Sequence, residues 1–291
     1  MKSMLIILNP IAGKGIAKKV ELLLGDSGMN AHFKVQIQYT KRGGHAAEIA
    51  AKAVQEKVDV VIAAGGDGTV NEVASQLVHS NTALGIIPIG SGNGLARHLG
   101  YSMQIKKCLQ QIAESKIEKI DTLLINNRFG VNVSGFGFDG FVAWKFNKEG
   151  KRGLSNYTKI ALREYASYPP IHFELEGLPK PHFSNAHMLV IANASQFGNA
   201  AIIAPTAQLA DGWMDVVMVR KPSPLQLPSM FYRLFTGKLK DADYLQSFKC
   251  KQFTATSDRE IHLHIDGEAC EPIKKINVVL QPKSLYVIDP K

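Results

Sequence analysis

The stretch that decides the fold is VDVVIAAGGDGTVNEV, residues 58–73. Residues 58–63 form an apolar, β-branched run that is typical of a buried parallel strand. Residues 69–78 carry apolar side chains at helical spacing, so a glycine turn joins a strand to a helix. Glycines at 65, 66 and 68 let the backbone approach a ligand closely. The N–H groups and dipole of the new helix favour phosphate at that point.

An acid in this turn, Asp67, indicates more than an ordinary strand-to-helix connection. A carboxylate beside phosphates repels them unless Mg²⁺ or a reacting hydroxyl lies between the two. A lone glycine turn would favour a purely structural interpretation. The whole string, with its acid and its Asn71-Glu72 pair, predicts a nucleotide-phosphate site.

The composition is that of a globular protein with anionic partners. The 291 residues carry 34 basic and 25 acidic side chains, a formal charge of +9, and 45% are hydrophobic. Three widely separated cysteines indicate a reducing compartment, so we expect a cytoplasmic protein. The opening apolar run ends at Leu8 and is too short for a signal peptide or a membrane span. Any membrane contact is therefore expected to be peripheral.

Two further glycine loops follow predicted strands in the first half of the chain. NPIAGKG at 9–15 follows a strand at 4–8, and PIGSGNGLAR at 88–97 follows a strand at 84–87. The first lacks the spacing of a P-loop, although Lys14 can pair with a phosphate. Strands that alternate with helices predict a parallel, doubly wound sheet, which binds ligands at the carboxyl ends of its strands. All three loops lie at such ends and can converge on one crevice.

The second half of the chain reads mostly as strands, which predicts an antiparallel β domain. We place the domains at 1–124 and 125–291, with the last strand returning to the first domain. Helices are predicted at 154–168 and 225–235. The predicted strands are 122–126, 129–134, 171–175, 187–192, 214–219, 253–256, 260–265 and 276–280. A DGE string at 266–268 ends one of them, and a surface turn is the simpler explanation for it.

Together, GGDGTVNEV, NPIAGKG, PIGSGNGLA and DGE resemble the motifs of the diacylglycerol kinase catalytic-domain family, which includes sphingosine kinases and bacterial lipid kinases. The resemblance covers nearly the whole chain. It implies an N-terminal α/β domain with a parallel sheet, like that of NAD kinase and diacylglycerol kinase, and a C-terminal antiparallel β-sandwich. It also implies an active site between them and transfer of the γ-phosphoryl group of ATP to a lipid hydroxyl, with ATP and Mg²⁺ as cofactors.

The resemblance also implies roles for individual residues. Asp67 would act near the Mg²⁺–phosphate centre, and Glu268 would be the general base. A secondary magnesium site would use the side chain of Asp211 and the carbonyls of Gln208 and Trp213. The expected ATP contacts, with Gly65 and Lys14 added from the loop chemistry, are Asn9, Pro10, Ile11, Ala12, Gly13, Lys14, Thr40, Gly65, Gly66, Asp67, Gly68, Thr69, Val70, Asn71, Glu72 and Ser91.

Departures from the family pattern leave the acceptor lipid open. Ser91 and Gly94 stand where many bacterial members have Thr and Asp, which resembles the sphingosine kinase version. SGFGFDG at 134–140 resembles the bacterial pattern instead. The alternatives are a NAD kinase-like enzyme, disfavoured by the immediate Asn71-Glu72 pair and by DGE, and a non-catalytic nucleotide or lipid sensor. Retention of both Asp67 and Glu268 argues against a sensor.

The expected partners are ATP, a lipid at a membrane surface and a second copy in a homodimer, with no nucleic acid. Two stretches mix aromatic and basic residues as an anionic interface requires. One covers 141–148 and extends to Lys151 and Arg152, and the other covers 230–235 with Lys238 and Lys240. The alternative is that their aromatic rings pack on the β domain and their lysines are solvated.

Overall fold

The computed structural model describes residues 1–25, 29–150, 153–183, 185–239 and 242–291, without the side chains of residues 14, 15, 30 and 154. The predictions for the Lys14 side chain and for Lys151, Arg152 and Lys240 therefore lie outside the described part. The chain forms two compact units. The first contains residues 1–120 and 283–291, and the second contains residues 121–282.

The first unit is built on a parallel sheet that contains β1 (Lys2–Leu8), β2 (Phe33–Tyr39), β3 (Val60–Gly65) and β4 (Ala83–Pro88). These strands lie in the order β2-β1-β3-β4. β3 and β4 are buried at every residue, as expected for parallel strands covered on both faces. The helices are α1 (Ala17–Gly25), α2 (Met29–His32), α3 (His45–Gln55), α4 (Asp67–Leu77), α5 (Gly94–Leu99) and α6 (Ile105–Glu114), with a 3₁₀ turn at Ala12–Gly15.

In its described residues, the second unit consists of antiparallel strands and three helices. The helices are α7 (Phe138–Glu149), α8 (Leu154–Tyr165) and α9 (Leu227–Thr236). The strands are β5 (Lys116–Ile125), β6 (Arg128–Gly130), β7 (Val133–Gly137), β8 (Ile171–Glu176), β9 (Asn185–Ala186), β10 (Met188–Ala192), β11 (Met214–Val219), β12 (Leu245–Cys250), β13 (Gln252–Ile261), β14 (Leu263–Ile265), β15 (Glu268–Ala269) and β16 (Ile273–Asp289). One sheet has the order β12-β11-β10-β7-β14-β15, and β13 pairs with β8 and β16.

Strand β16 leaves the second unit and ends in the first. Val287 pairs with Leu84 of β4 in parallel, and the Tyr101 hydroxyl donates to the Ile288 carbonyl oxygen at 2.7 Å. The C-terminal segment of the chain therefore completes the parallel sheet of the first unit. The predicted α/β fold with a parallel sheet and the predicted antiparallel β-sandwich are both confirmed.

The described residues of the second unit form two hydrophobic clusters. One buries Phe136, whose ring centroid is 5.6 Å from that of Phe173, together with apolar side chains of β11 and β13. The other joins the opposite face of the six-stranded sheet, for example Val190, to side chains of α7 and α8. Successive side chains of β7 and β10 point to opposite faces of the six-stranded sheet and so belong to different clusters. This sheet is therefore buried on both faces.

The structure corrects several strand and helix predictions. Residues 138–149 form α7, which the sequence did not predict because the first half of the helix is buried and its last residues are exposed, so no periodic apolar stripe marks it. β12 was also not predicted. The predicted strand at 129–134 is interrupted because Val131 and Asn132 donate their N–H groups to the carboxylate of Asp266. Among the described residues, no helix has the length and apolar character needed to cross a bilayer.

Candidate active site

Strands β1 to β4 of the first unit end side by side. Immediately after them, the backbone ladder continues from Thr40 N to Leu8 O (3.0 Å), from Asn9 N to Ala64 O (2.9 Å) and from Ile89 N to Gly65 O (3.0 Å). The three glycine loops and Thr40 are therefore brought to one edge of the sheet. This is the edge at which open α/β sheets bind ligands.

In chain order, the first glycine loop is residues 9–15, the second is residues 65–68 and the third is residues 88–94. The second and third loops touch through their backbones. A Cβ on Gly90 would lie 2.4 Å from Gly66 Cα, closer than real Cβ atoms come to non-bonded atoms of other residues. Asn93 closes the third loop from a left-handed conformation, φ +55°, by accepting from Gly90 N at 3.0 Å and donating to Gly90 O at 2.8 Å. The sequence analysis did not single out Asn93, although Asn between two glycines is a signal for this conformation.

Asp67 joins these two loops through both oxygens of its carboxylate. Oδ1 accepts from Gly94 N at 2.7 Å and Oδ2 accepts from Asn93 N at 2.8 Å. Burial raises the pKa of Asp67 and outweighs the two backbone hydrogen bonds, which lower it. The carboxylate thus caps the start of α5 and fixes the third loop against the second, a structural contact that the sequence did not predict.

Two other predicted ligand residues also act as anchors. Asn9 Nδ2 donates to Thr69 Oγ1 at 3.1 Å, which ties the first loop to α4. The carboxylate of Glu72 accepts from Gly44 N at 3.0 Å and from Ala46 N at 3.1 Å, at the start of α3. These hydrogen bonds connect all the loops at this edge, so the position of each backbone depends on its neighbours.

The remaining predicted ATP contacts differ in their accessibility. Exposed residues are Pro10, Ile11, Gly68 and Ser91. Half-buried ones are Ala12, Gly13, Gly66 and Asn71. Gly65, Val70, Thr40 and Thr69 are buried. The exposed and half-buried backbone of the three loops forms the surface available to a ligand, whereas Gly65 and Val70 belong to the core beneath it.

In the second unit, Glu268 begins β15 immediately after a two-residue hairpin turn. Ile265 pairs with Glu268 across the hairpin, and the turn residues Asp266 and Gly267 have φ of +51° and +87°. Positive φ at both positions is what this turn requires, and Asp-Gly provides it. Glu268 is exposed, and no described residue forms a hydrogen bond or ion pair with its carboxylate. Asp266 is engaged by Val131 and Asn132, so Glu268 is the available acid of the DGE string.

The residues expected at a secondary magnesium site lie on the loop before β11. Asp211 Oδ1 accepts from Trp213 N at 3.0 Å, and Asp211 Oδ2 forms a 2.7 Å ion pair with Lys249 Nζ. Gln208 and Trp213 are both exposed. The Lys249 ammonium group lies at the carboxylate oxygen through which Asp211 would bind a divalent cation, so the cation would have to displace it. The magnesium ligands stay a prediction from the resemblance.

The two aromatic and basic stretches differ in the structure. On α7, Phe141 stacks on Trp144 at 6.0 Å, Lys145 pairs with Glu164 at 2.7 Å, and Lys148 lies 3.8 Å from the centroid of the Trp144 ring. These side chains mainly contact one another and the β domain. None of the residues on α9 is buried: Tyr232 is 62% exposed and Phe235 is 41% exposed.

Comparison with known proteins connects both units to described families. Residues 3–125 match the model of the diacylglycerol kinase catalytic domain, and residues 132–289 match that of the YegS C-terminal NAD kinase beta sandwich-like domain. A diacylglycerol kinase of Bacillus subtilis (strain 168) is 25% identical over 273 residues, which cover 92% of this chain and 90% of that protein. A diacylglycerol kinase of Mycobacterium tuberculosis (strain H37Rv) is 27% identical over 297 residues, covering 98% and 94%.

Solved structures show the same fold. A crystal structure of a diacylglycerol kinase from Bacillus anthracis (strain Sterne) superposes with a TM-score of 0.79. The match covers 99% of this chain and 96% of that one at 20% sequence identity. At this identity the likeness establishes the architecture of the two units.

Proposed function

The chain belongs to the diacylglycerol kinase family and is a lipid kinase, and we propose that it transfers the γ-phosphoryl group of ATP to a hydroxyl of diacylglycerol or a related lipid. The observation that carries the proposal is the arrangement of glycine loops at one edge of the parallel sheet. Phosphoryl transfer depends on positioning and charge neutralisation, which such a set of backbone groups supplies.

The nucleotide is assigned to the first unit. The first turn of α4 begins at Asp67, next to the exposed Gly68, and its N–H groups have no partner within the helix. These N–H groups and the helix dipole favour the phosphates of ATP, which arrives as its magnesium complex. Ser91, exposed on the adjoining loop, is assigned to the same ligand.

Glu268 is assigned as the general base that accepts the proton of the lipid hydroxyl. In the reaction, the lipid oxygen forms a bond to the γ-phosphorus while the bond from that phosphorus to the bridging oxygen of ADP breaks. The hydroxyl proton passes to the carboxylate of Glu268, and ADP leaves with the electron pair of the broken bond. An exposed carboxylate that no described residue engages is available for this role.

Turnover of labelled ATP tests the proposal directly. The full chain is incubated with Mg²⁺, γ-labelled ATP and one acceptor at a time. Diacylglycerol and a sphingoid base are supplied in mixed micelles, and NAD is supplied in solution without lipid. Label in phosphatidic acid is the expected result. Label only in NADP supports the NAD kinase-like alternative, and the absence of any labelled product in the presence of bound ATP supports the sensor. Either of these outcomes overturns the proposal.

A matched pair of variants tests the assignment of the base. Glu268→Gln keeps the shape of the side chain and removes the proton acceptor, so we expect turnover to fall about 10²-fold or more, the scale of a positioned general base. Glu271→Gln, an exposed acid three residues further along, should retain turnover. Equal turnover in Glu268→Gln and the wild type would refute the assignment.

A membrane surface is the proposed location of the lipid substrate. The exposed rings of Tyr232 and Phe235 on α9, followed by Lys238, suit an anionic interface. The net charge of +9 acts in the same direction. A homodimer is proposed as the assembly on the resemblance alone, and sedimentation velocity measures it.

A further inference from the structure

A buried chain of polar side chains in the second unit leads to the turn that carries Glu268. We propose that His264 is a positioning residue for Glu268, held in place by Asp139 and Tyr157. The inference rests on the proposed function, because it matters only if Glu268 takes part in the reaction. His264 is 3% exposed and Asp139 is 7% exposed, so neither side chain reaches a ligand itself.

The hydrogen bonds between these polar side chains are short and form a continuous series. Tyr157 OH donates to Asp139 Oδ1 at 2.6 Å, and His264 Nε2 lies 2.7 Å from Asp139 Oδ2. Gly267 N donates to His264 Nδ1 at 3.1 Å. The series of hydrogen bonds therefore runs from the Tyr157 hydroxyl, through the side chains of Asp139 and His264, to the backbone N–H directly before Glu268.

The contact to Gly267 decides which nitrogen of the imidazole carries the proton. A backbone N–H can only donate, so Nδ1 of His264 must accept and has no proton. Nε2 then carries the proton and donates a hydrogen bond to Asp139, which fixes both the tautomer and the orientation of the ring. Burial raises the pKa of Asp139, but its interactions with His264 and Tyr157 outweigh burial and hold the pKa below its ordinary value.

The turn before Glu268 is thus held from two sides. The carboxylate of Asp266 accepts the N–H groups of Val131 and Asn132 at 2.8 and 2.9 Å, and His264 accepts that of Gly267. These bonds fix the two central residues of the hairpin. Glu268 follows at once, so its Cα is placed without any contact to its own carboxylate.

The surrounding backbone is shaped to admit this pair. A Cβ on Gly135 would lie 2.3 Å from Asp139 Oδ2 and 2.7 Å from His264 Nε2, so a larger residue at 135 would displace the pair. Buried charged groups are a poor means of stabilising a core, because apolar side chains of similar volume often do so equally well. A buried chain that ends at one backbone N–H is better explained by the geometry of that turn.

Two substitutions of His264 separate its contact with Gly267 from its contact with Asp139. The amide of His264→Asn occupies the place of Nδ1 and can still accept from Gly267. The amide of His264→Gln occupies the place of Nε2 and keeps only the contact with Asp139. We expect kcat to fall about 10-fold or more in His264→Gln, with KM for ATP unchanged, and to fall by less than about 3-fold in His264→Asn.

A double-mutant cycle with Glu268→Gln tests whether His264 acts through Glu268. His264→Gln should lower kcat in the wild-type background and have no further effect in the Glu268→Gln background. A further loss of the same factor, or equal losses in both His264 variants that follow their melting temperatures, would overturn the inference. If Glu268→Gln alone keeps full turnover, the proposed base fails and the positioning role fails with it, and that single variant identifies the failure.

A milder variant keeps the test decisive if His264→Gln does not fold. Tyr157→Phe removes one hydrogen bond at the far end of the chain, to Asp139. We expect faster hydrogen exchange at the Gly267 amide and a 2- to 5-fold lower kcat, about 0.4 to 1 kcal/mol of activation free energy, with unchanged ATP affinity. Unchanged exchange at Gly267 together with unchanged kcat would refute the coupling.

Discussion

Substitution of Asp67 by Asn is the sharpest test of how the nucleotide loops are organised. The wild-type carboxylate accepts one backbone N–H with each oxygen, from Gly94 at 2.7 Å and from Asn93 at 2.8 Å. An asparagine amide has a single oxygen and accepts only one of them. Its NH₂ group then faces the other N–H, a donor against a donor, and the third loop must move or leave that N–H without a partner.

The magnitude follows from these two contacts. A hydrogen bond to a charged group contributes about 1.5–3 kcal/mol, and a buried donor left without a partner costs about 1–3 kcal/mol. We therefore expect Asp67→Asn to lower the free energy of unfolding by about 2–4 kcal/mol. At about 2–4 °C for each kcal/mol in a chain of this size, the melting temperature should fall by roughly 4–16 °C.

Calorimetry and ATP titration measure the two consequences on one preparation. The matched control is Asp59→Asn, the same chemical change in an exposed carboxylate of the first unit, which accepts from Ser3 N at 2.7 Å. We expect a smaller loss of stability there and unchanged ATP affinity. In Asp67→Asn, the displaced third loop should weaken ATP binding as well as stability.

The kinetics separate this anchoring role from the catalytic role that the family resemblance implies for Asp67. If the carboxylate only holds the loops, kcat at saturating ATP should recover most of its wild-type value. If it also acts at the reacting centre, kcat should stay low at any ATP concentration. A stability change below about 0.5 kcal/mol, the usual range for surface substitutions, with normal ATP affinity would refute the anchoring argument.

Three further predictions concern the second unit. Millimolar Mg²⁺ without ATP should leave the melting temperature unchanged, because Lys249 already neutralises Asp211 at 2.7 Å; a rise in the wild type, measured by thermal shift, would show that the metal displaces the lysine. Burial lowers the pKa of His187 to about 3, so the unfolded chain binds a proton below about pH 6.5 that the folded chain does not. Stability should therefore fall by about 1.4 kcal/mol per pH unit between pH 6 and 4, and denaturant titrations of His187→Phe should show less of this loss. Replacing Tyr232 and Phe235 by Ser should weaken sedimentation with anionic vesicles without changing ATP affinity, whereas equal binding of the variant would exclude α9 as the membrane contact.

The sequence alone predicted the class of fold and the gathering of the glycine loops at one edge of the sheet, to which we assign the nucleotide. Both depend on short-range features: apolar strands followed by glycines, and helices that begin directly after them. The glycine motifs and the DGE string also indicated the family, which the two matched domain models establish. Helix α7 was missed for a local reason, because a helix whose first half is buried and whose last residues are exposed shows no periodic stripe.

Only the tertiary structure decided which acids are engaged and which are available. Asp67 and Asp266 both sit beside glycines, as Glu268 does, yet the first two accept backbone N–H groups and no described residue engages the third. Asp67 meets its partners 26 and 27 positions along the chain, and Asp139 meets His264 at a separation of 125. A carboxylate's partner is whatever donor the fold brings within 3 Å, and strand pairing, rather than local sequence, brings donors from such distances.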